Sequence, residues 1–376
     1  MLLGLSAFLG LWGIIALLYK SLGLKKYGFS LKPFLLIVKS RSLAKKFEYL
    51  GYSNSRSWKL VSNVGLFVSG GLMFFAFYFL ITNLVTRFTV GQPQTGLYVV
   101  IPGITIGWHV VPYFIVAAAI TIIVHEAFHA ITFGNENVPV KSFGIFIAAI
   151  LPGGLVEADE IAFKNVKPIS KMRIYASGSF SNFVVFLLAL ALTVATIAPV
   201  QQGALVLETR EGYPAHGVIK SWDVIVAIND NTIYSVNDFQ RVLRNISPGT
   251  EIEVSVLRDG SPIKLSLVTA PSPDNNSRAI LGVNVIDYYP STVPWLRGEA
   301  YLHWTSTLYW LRLISFSVAM INMLPIPLLD GSGFVRALLE NLFRGKKRAC
   351  DIIANVLGTL TLFLFLANII LPVSTP

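Results

Sequence analysis

His125, Glu126 and His129 form a His-Glu-x-x-His pentapeptide inside residues 117–131, a run otherwise made of Ala, Ile, Val, Phe and one Thr. On a helix, residues four apart share a face, so both imidazoles can reach one metal ion while Glu126 reaches a water on that ion. Zinc suits two nitrogen ligands plus a carboxylate, with the fourth position left for the water. From the His and Glu content of the chain, such a pentapeptide arises by chance only about 0.002 times per chain. In a soluble helix the same pair can be nothing more than a polar stripe. At bilayer depth, two histidines and a glutamate are expensive to bury, and an intramembrane ionisable group marks a functional site by default.

The composition supports that depth. Of 376 residues, 54% are hydrophobic and only 13% charged, which is not the make-up of two soluble domains. The formal net charge of +10 is gathered in loops between apolar runs, the pattern of membrane topology, so no nucleic-acid partner is expected. The single cysteine, Cys350, excludes an intrachain disulfide and any CxxC site, and reads as an ordinary loop residue.

Six helices are expected to cross the lipid bilayer, at about residues 2–19, 60–85, 112–133, 174–199, 304–323 and 352–371. They divide the chain into an N-terminal membrane part (1–199), a soluble region (200–290) and a C-terminal membrane part (291–376). Residues 2–19 lack a basic n-region and a small-residue cleavage site, so a retained helix is expected rather than a signal peptide. Residues 20–59 carry ten Lys or Arg against Glu48 alone, a net +9 that holds this loop in the cytoplasm and places both termini and residues 200–290 outside. Ser69-Gly70-Gly71 allows close helix packing. Residues 86–109 read as an outer loop or short strands, with His109 on the surface. Pro112 is placed to start the third helix and Gly134 to end it. His129 then lies roughly 6 to 8 Å from the inner helix end, which puts the metal nearer the cytoplasmic face.

Residues 138–159 are too short to span and are interrupted by Pro152-Gly153-Gly154, so they read as a hairpin or re-entrant element. Glu157, Asp159 and Glu160 follow beside Lys164, Lys167 and Lys171, the pattern of a solvated face. The fourth helix opens with Gly178-Ser179-Phe180-Ser181-Asn182, small and polar where it would pass the metal. Packing through small residues and a substrate hydrogen bond from Asn182 both remain open. Arg312 lies inside the fifth apolar run with no partner named by the sequence. After it comes Asn322-Met323-Leu324-Pro325-Ile326-Pro327-Leu328-Leu329-Asp330-Gly331. Its two prolines end the helix and hold the chain extended, so that Asp330 can be aimed inward from non-helical backbone.

Between residues 200 and 290 the helical runs give way to short alternating strands, with ten acids against seven bases. The order of strands, the helix-like residues 236–243, and two strands hinged at Asp259-Gly260 resemble a PDZ domain of the protease-associated type. Such domains bind an extended peptide beside an exposed strand. That resemblance implies that Gly203, Ala204, Leu205 and Val206 form the loop for a terminal carboxylate, and that His216 is unrelated to the metal. A domain acting only as a steric cap is the alternative.

An intramembrane HExxH, a central PDZ-like insertion and a late Asn-x-x-Pro-x-Pro-x-x-Asp-Gly together resemble the site-2 protease family, zinc metalloproteases that cut transmembrane substrates. The resemblance covers most of the chain, and implies a polytopic α-helical membrane fold with a re-entrant β-hairpin and a small α/β PDZ-like domain. It implies one zinc ion held by His125, His129 and Asp330, with Glu126 as general base. Asn182, Asn322 and the hairpin around Gly144 would contact substrate, the hairpin by edge pairing with an unwound strand. Ser181 stands where the family commonly has Ala. The implied partners are a transmembrane protein substrate and a peptide or outer substrate segment at the PDZ-like domain, in a prokaryotic cell membrane with that domain outside. The competing class is a non-catalytic membrane receptor or scaffold with a structural metal, for which a closed four-ligand site would speak. A metal transporter is disfavoured, since one His pair without a second polar helix makes a poor pathway.

Overall fold

Long uncharged runs leave the backbone no better option in an apolar medium than the helix, which satisfies every N–H and C=O internally. The computed structural model describes residues 2–90, 100, 105–149, 151–343 and 345–370. Its helices are α1 (Leu2–Ser21), α2 (Arg41–Ser53), α3 (Ser55–Val90), α4 (Val111–Asn135), α5 (Glu160–Asn165), α6 (Pro168–Thr196), α7 (Val236–Arg244), α8 (Gly298–Asn322), α9 (Asp330–Leu342) and α10 (Lys347–Ile370). Among the described residues α3, α4, α6 and α10 are long and apolar enough to cross a membrane. Phe67 and Phe74 on α3, Leu188 on α6 and Phe363 on α10 point outward and exposed, so these helices are apolar on their outer faces as well as toward the core, as lipid contact requires.

The chain divides into two compact units, residues 1–188 with 309–376, and residues 189–308. In the first, a sheet runs in the order β1 (Phe29–Lys32), β2 (Leu35–Ser40), β3 (Val140–Ala148), β4 (Leu151–Ala158), antiparallel throughout. Ser40 caps α2, accepting from the Leu43 amide, and α2 turns Ala44 and Gly51 into the core against α4. The crossing is close: a Cβ on Gly51 would lie 1.9 Å from the Ile131 carbonyl oxygen, and one on Gly134 would lie 2.1 Å from that of Glu48. A second core gathers Leu72, Met172, Ala176, Ala319, Phe334 and Cys350 from α3, α6, α8, α9 and α10.

In the second unit a sheet of order β12 (Val283–Asp287), β5 (Ala204–Thr209), β6 (Val224–Ile228), β8 (Glu251–Arg258), β9 (Ser261–Val268) carries the short β7 (Asn231–Thr232) on β6, and β10 (Ala270–Ser272) pairs with β11 (Asn275–Ile280). Val206, Ile225, Ile228, Val254 and Val256 from the sheet bury against Phe239 and Leu243 of α7. Asp259 and Gly260, both at positive φ, make the tight turn between β8 and β9.

Several expectations are corrected. Residues 20–59 are not a plain loop: they hold β1, β2 and α2. The second and fourth apolar helices begin earlier than expected, at Ser55 and Pro168, because no breaker separates the charged residues Arg56, Lys59, Lys171 and Arg173 from the apolar run that follows. Helix α3 continues to Val90 into what was read as the outer loop, most of which (91–99 and 101–104) lies outside the described residues. Pro152, Gly153 and Gly154 belong to β4 rather than to a turn; the reversal falls at Ala149, with φ +55°, and Ile150 lies outside the described residues. The fifth helix starts at Gly298, earlier than expected. Cys350 is buried on α10, one helical turn into an unbroken run, and is not a loop residue. Asp330 is the first residue of α9 rather than part of an extended segment, because the turn closed by the Leu329 amide on the Ile326 carbonyl (3.1 Å) restarts the helix there.

Candidate metal centre

Helix α4 carries His125 and His129 on its buried face, each with 7% of its surface exposed. Asp330 opens α9 and reaches the same point. Nε2 of His125 and Nε2 of His129 are 3.2 Å apart, and Oδ2 of Asp330 is 3.1 Å from each. Among the described residues these three form the one group of His, Cys, Asp or Glu side chains poised to share an ion. Zinc bonds of about 2.0–2.1 Å at tetrahedral angles require ligand atoms roughly 3.3–3.4 Å apart, so the donor set fits that ion and leaves a fourth direction free.

The groups behind the donors hold them in place. Nδ1 of His129 donates to the Ile174 carbonyl at 2.8 Å, which leaves Nε2 as the atom facing Asp330. Ser177, on the same turn of α6, donates to that carbonyl at 2.7 Å. The side-chain amide of Asn182 lies 3.0 Å from Nδ1 of His125, and Asn322 lies 3.4 Å from its Nε2. Gly178 passes directly beneath both rings: a Cβ there would fall 2.4–2.5 Å from His125 Cε1, His125 Nε2 and His129 Nε2. Glu126 lines the same cavity of about 690 Å³, with Gly154 of β4 against it; a Cβ on Gly154 would be 2.6 Å from Glu126 Oε1.

Two turns beyond His129, Glu136 caps α4 with a side chain only 5% exposed. It accepts from Lys59 of α3 at 2.9 Å, from Arg173 of α6 at 3.2 Å and from Ser170 of α6. Burial pushes this carboxyl up, but the Ser170 and Lys59 hydrogen bonds and the Lys59 and Arg173 charges outweigh it and hold the group below the ordinary carboxylate range. The cluster locks α6 to α4 next to the Ile174 carbonyl.

Comparison with known proteins gives this geometry its context. The profile of peptidase family M50 matches residues 113–366, which take in both histidines, Glu126 and Asp330. The chain belongs to peptidase family M50. An uncharacterized protein of Methanocaldococcus jannaschii is 25% identical over 351 residues, covering 92% of this chain and 88% of that protein. A protein of Arabidopsis thaliana named a membrane-bound transcription factor site-2 protease homolog is 29% identical over 135 residues, 34% of this chain and 26% of its own length. Among solved structures, the PDZ domain of an SdrC-like protein from Listeria monocytogenes aligns with 22% of this chain and 87% of its own, at 15% identity and a TM-score of 0.21. The M50 chain is a membrane metallopeptidase.

Other residues singled out in the sequence fall elsewhere in this M50 fold. Gly144 sits in β3 between Lys39 of β2 and Leu155 of β4, so both its edges are taken and it cannot receive a further strand; the free edge of the sheet on this side is β4. Residues 203–206 do not form a carboxylate loop. Ala204 and Leu205 pair with β12 on one side and β6 on the other, the Gly203 amide donates to the Tyr234 carbonyl, and the Val206 amide donates to that of Asp223. One groove of that unit lies beside α7 and the edge strand β12, lined by Arg210, Phe239, Leu243, Leu281 and Val283. His109 and His216 are exposed, as expected of residues outside the metal cluster. Glu157 pairs with Lys39 and Ser142, Asp159 caps α5 and pairs with Lys141, and Glu160 pairs with Lys164 at 3.7 Å, so the acidic group makes surface contacts and no ligand. Arg312 is half-buried on α8, its Nε without a partner among the described residues. Ile174, Ser177 and Glu136 carry no functional signal in the sequence: a backbone carbonyl is anonymous, and the partners of Glu136 lie on α3 and α6, far from it in the chain.

Proposed function

We propose that this protein is a zinc endopeptidase that hydrolyses peptide bonds of transmembrane proteins at bilayer depth, as in regulated intramembrane proteolysis. The observation that carries the reading is the convergence of Nε2 of His125, Nε2 of His129 and Oδ2 of Asp330 within 3.2 Å of one another inside a cavity that also holds Glu126. Two ring nitrogens with their lone pairs and a carboxylate oxygen crowd together at such distances only around a shared cation or shared protons. His125, His129 and Asp330 are the ligands of this reading, and three donors rather than four is the arrangement of a catalytic site. Zinc bound there supplies an activated water and polarises the scissile carbonyl.

The remaining steps belong to the chain's own residues. Glu126 takes the proton of the attacking water and returns it to the leaving nitrogen. The Ile174 carbonyl and the amide of Asn182 orient the two imidazoles from behind. A substrate helix must be locally unwound before its peptide bonds can be attacked, and the free edge of β4, with Gly154 against Glu126, offers backbone groups to hold the unwound strand beside the base.

The second unit is read as a PDZ-like domain that takes a peptide or an outer segment of the substrate in the groove between α7 and β12. Helices α1 and α8 complete six spans, with both termini and the PDZ-like domain on the outer side, a topology supported by the net +9 of residues 20–59. Cysteine labelling at position 238 after replacing Cys350 tests it; labelling only from the cytoplasm overturns the orientation.

The function itself is tested with purified protein in lipid vesicles. One zinc per chain and cleavage of a model transmembrane peptide that chelation abolishes and zinc restores are the expected results. A zinc-loaded protein that cleaves no transmembrane peptide while binding one through the second unit supports the receptor reading instead.

A further inference from the structure

Helix α6 presents Tyr175, Gly178 and Asn182 at spacings of three and four residues, which places all three on one face. That is the face that passes the metal centre, since Gly178 lies under both imidazoles and Asn182 stands at His125. Tyr175 lines the cavity shared by His125, Glu126, His129 and Asp330. Its ring rests on Gly333 of α9, where a Cβ would fall 2.2–2.5 Å from Cζ, Cε1 and Cε2. Gly333 is three residues beyond Asp330 and so on the same face of α9. An edge-on contact with Phe163 at 5.8 Å holds the ring from a third direction.

The phenol is therefore fixed, yet its hydroxyl has no hydrogen-bond partner among the described residues, and it is not one of the buried unpaired atoms. Tyr175 itself lines the cavity of the metal cluster. A tyrosine held in such surroundings ordinarily spends its hydroxyl on a neighbour. Here no described residue takes it, which leaves the hydroxyl of a cavity-lining residue free to serve a bound molecule.

We infer that Tyr175 donates a hydrogen bond to the carbonyl oxygen of the scissile peptide bond as charge develops on it, a role that rests on the peptidase reading above. The oxygen of water bonds to the carbonyl carbon, its proton passes to Glu126, and the π pair of the C=O bond moves onto the carbonyl oxygen, where the Tyr175 O–H donates without giving up its proton. When the C–N bond breaks, the pair returns to re-form C=O and the leaving nitrogen takes the proton held by Glu126. One water is consumed, a carboxyl and an amine are released, and Tyr175 ends unchanged.

Tyr175→Phe keeps the ring on Gly333 and removes only the hydroxyl. A donor aimed at developing negative charge contributes about 10²–10³ in rate where it acts alone, and less where a metal shares the task, so kcat should fall about 10- to 100-fold with KM unchanged. Zinc content and resistance to chelation should equal those of the wild type. Affinity for a phosphinic peptide, which mimics the tetrahedral oxygens, should fall by a similar factor. A Phe variant whose kcat and phosphinic-peptide affinity both stay within twofold of the wild type overturns the assignment. A wild-type enzyme that cleaves nothing in the same assay overturns the peptidase reading itself and takes this role with it, a result distinct from equal cleavage by the two proteins.

Discussion

Asn182 on α6 and His125 on α4 meet side chain to side chain, the amide 3.0 Å from Nδ1 of the ring, and Asn182 is wholly buried. Ligation through Nε2 requires the proton on Nδ1, and hence an acceptor there; the amide oxygen serves when the amide is turned over, and that oxygen otherwise has no partner. Asn182→Leu should weaken zinc binding about 10- to 100-fold, while Asn182→Asp, which keeps an acceptor, should stay close to the wild type. Competition with a chelator of known affinity checks it; equal zinc affinity in all three proteins removes Asn182 from the metal's support.

Gly178→Ala should abolish zinc binding without unfolding α6. The added methyl would fall within 2.5 Å of both imidazoles, while Ala is a better helix former than Gly. Zinc analysis and circular dichroism on the same sample decide it, and a variant that retains full zinc shows that the rings are not confined as described.

Glu136→Gln removes the charge that Lys59 and Arg173 share. The cost should be about 3 kcal/mol, at the low end for a buried pair because Lys59 is 43% exposed. The carboxyl is depressed in the folded protein, so its contribution is fully present above the ordinary Glu range of about 4.3 and is lost as pH falls through the lower folded value. Thermal midpoints in detergent should therefore drop below about pH 4 in the wild type, with a smaller drop in Glu136→Gln. Parallel pH profiles for the two proteins would contradict this.

Deleting residues 203–287 and closing the gap with a short Gly/Ser linker should leave zinc bound, since every residue lining the metal cavity comes from the other unit. Cleavage of a pre-trimmed substrate should persist, and discrimination against a substrate with a bulky outer domain should loosen. A folded, zinc-loaded deletion that cuts neither substrate makes the second unit part of the catalytic apparatus.

What the sequence disclosed and what it concealed divide along the range of the interactions. His125 and His129 were legible because a four-residue spacing fixes a shared helix face, and the helices because apolar runs of that length have one outcome. Asp330 was reached through its Pro-x-Pro-x-x-Asp-Gly setting, although its backbone turned out helical. The pairing of residues 35–40 with 143–148, which builds β2 onto β3 and leaves β4 as the edge, joins segments far apart in the chain and leaves no local mark. The same holds for residues 203–206: as a local string they suit a carboxylate loop, but β12, arriving from the far end of the unit, occupies the backbone they would need. The Ile174 carbonyl behind His129 carries no side-chain signature at all.

The central claim is that Glu126 acts as base beside a metal it does not ligate. Glu126→Gln keeps the size of the side chain and its place against Gly154 while removing the proton acceptor. Zinc content and cleavage of a transmembrane peptide, measured together on the variant and the wild type, should show one zinc per chain in both and cleavage only in the wild type. A variant that retains zinc and cleaves within tenfold of the wild type contradicts the account.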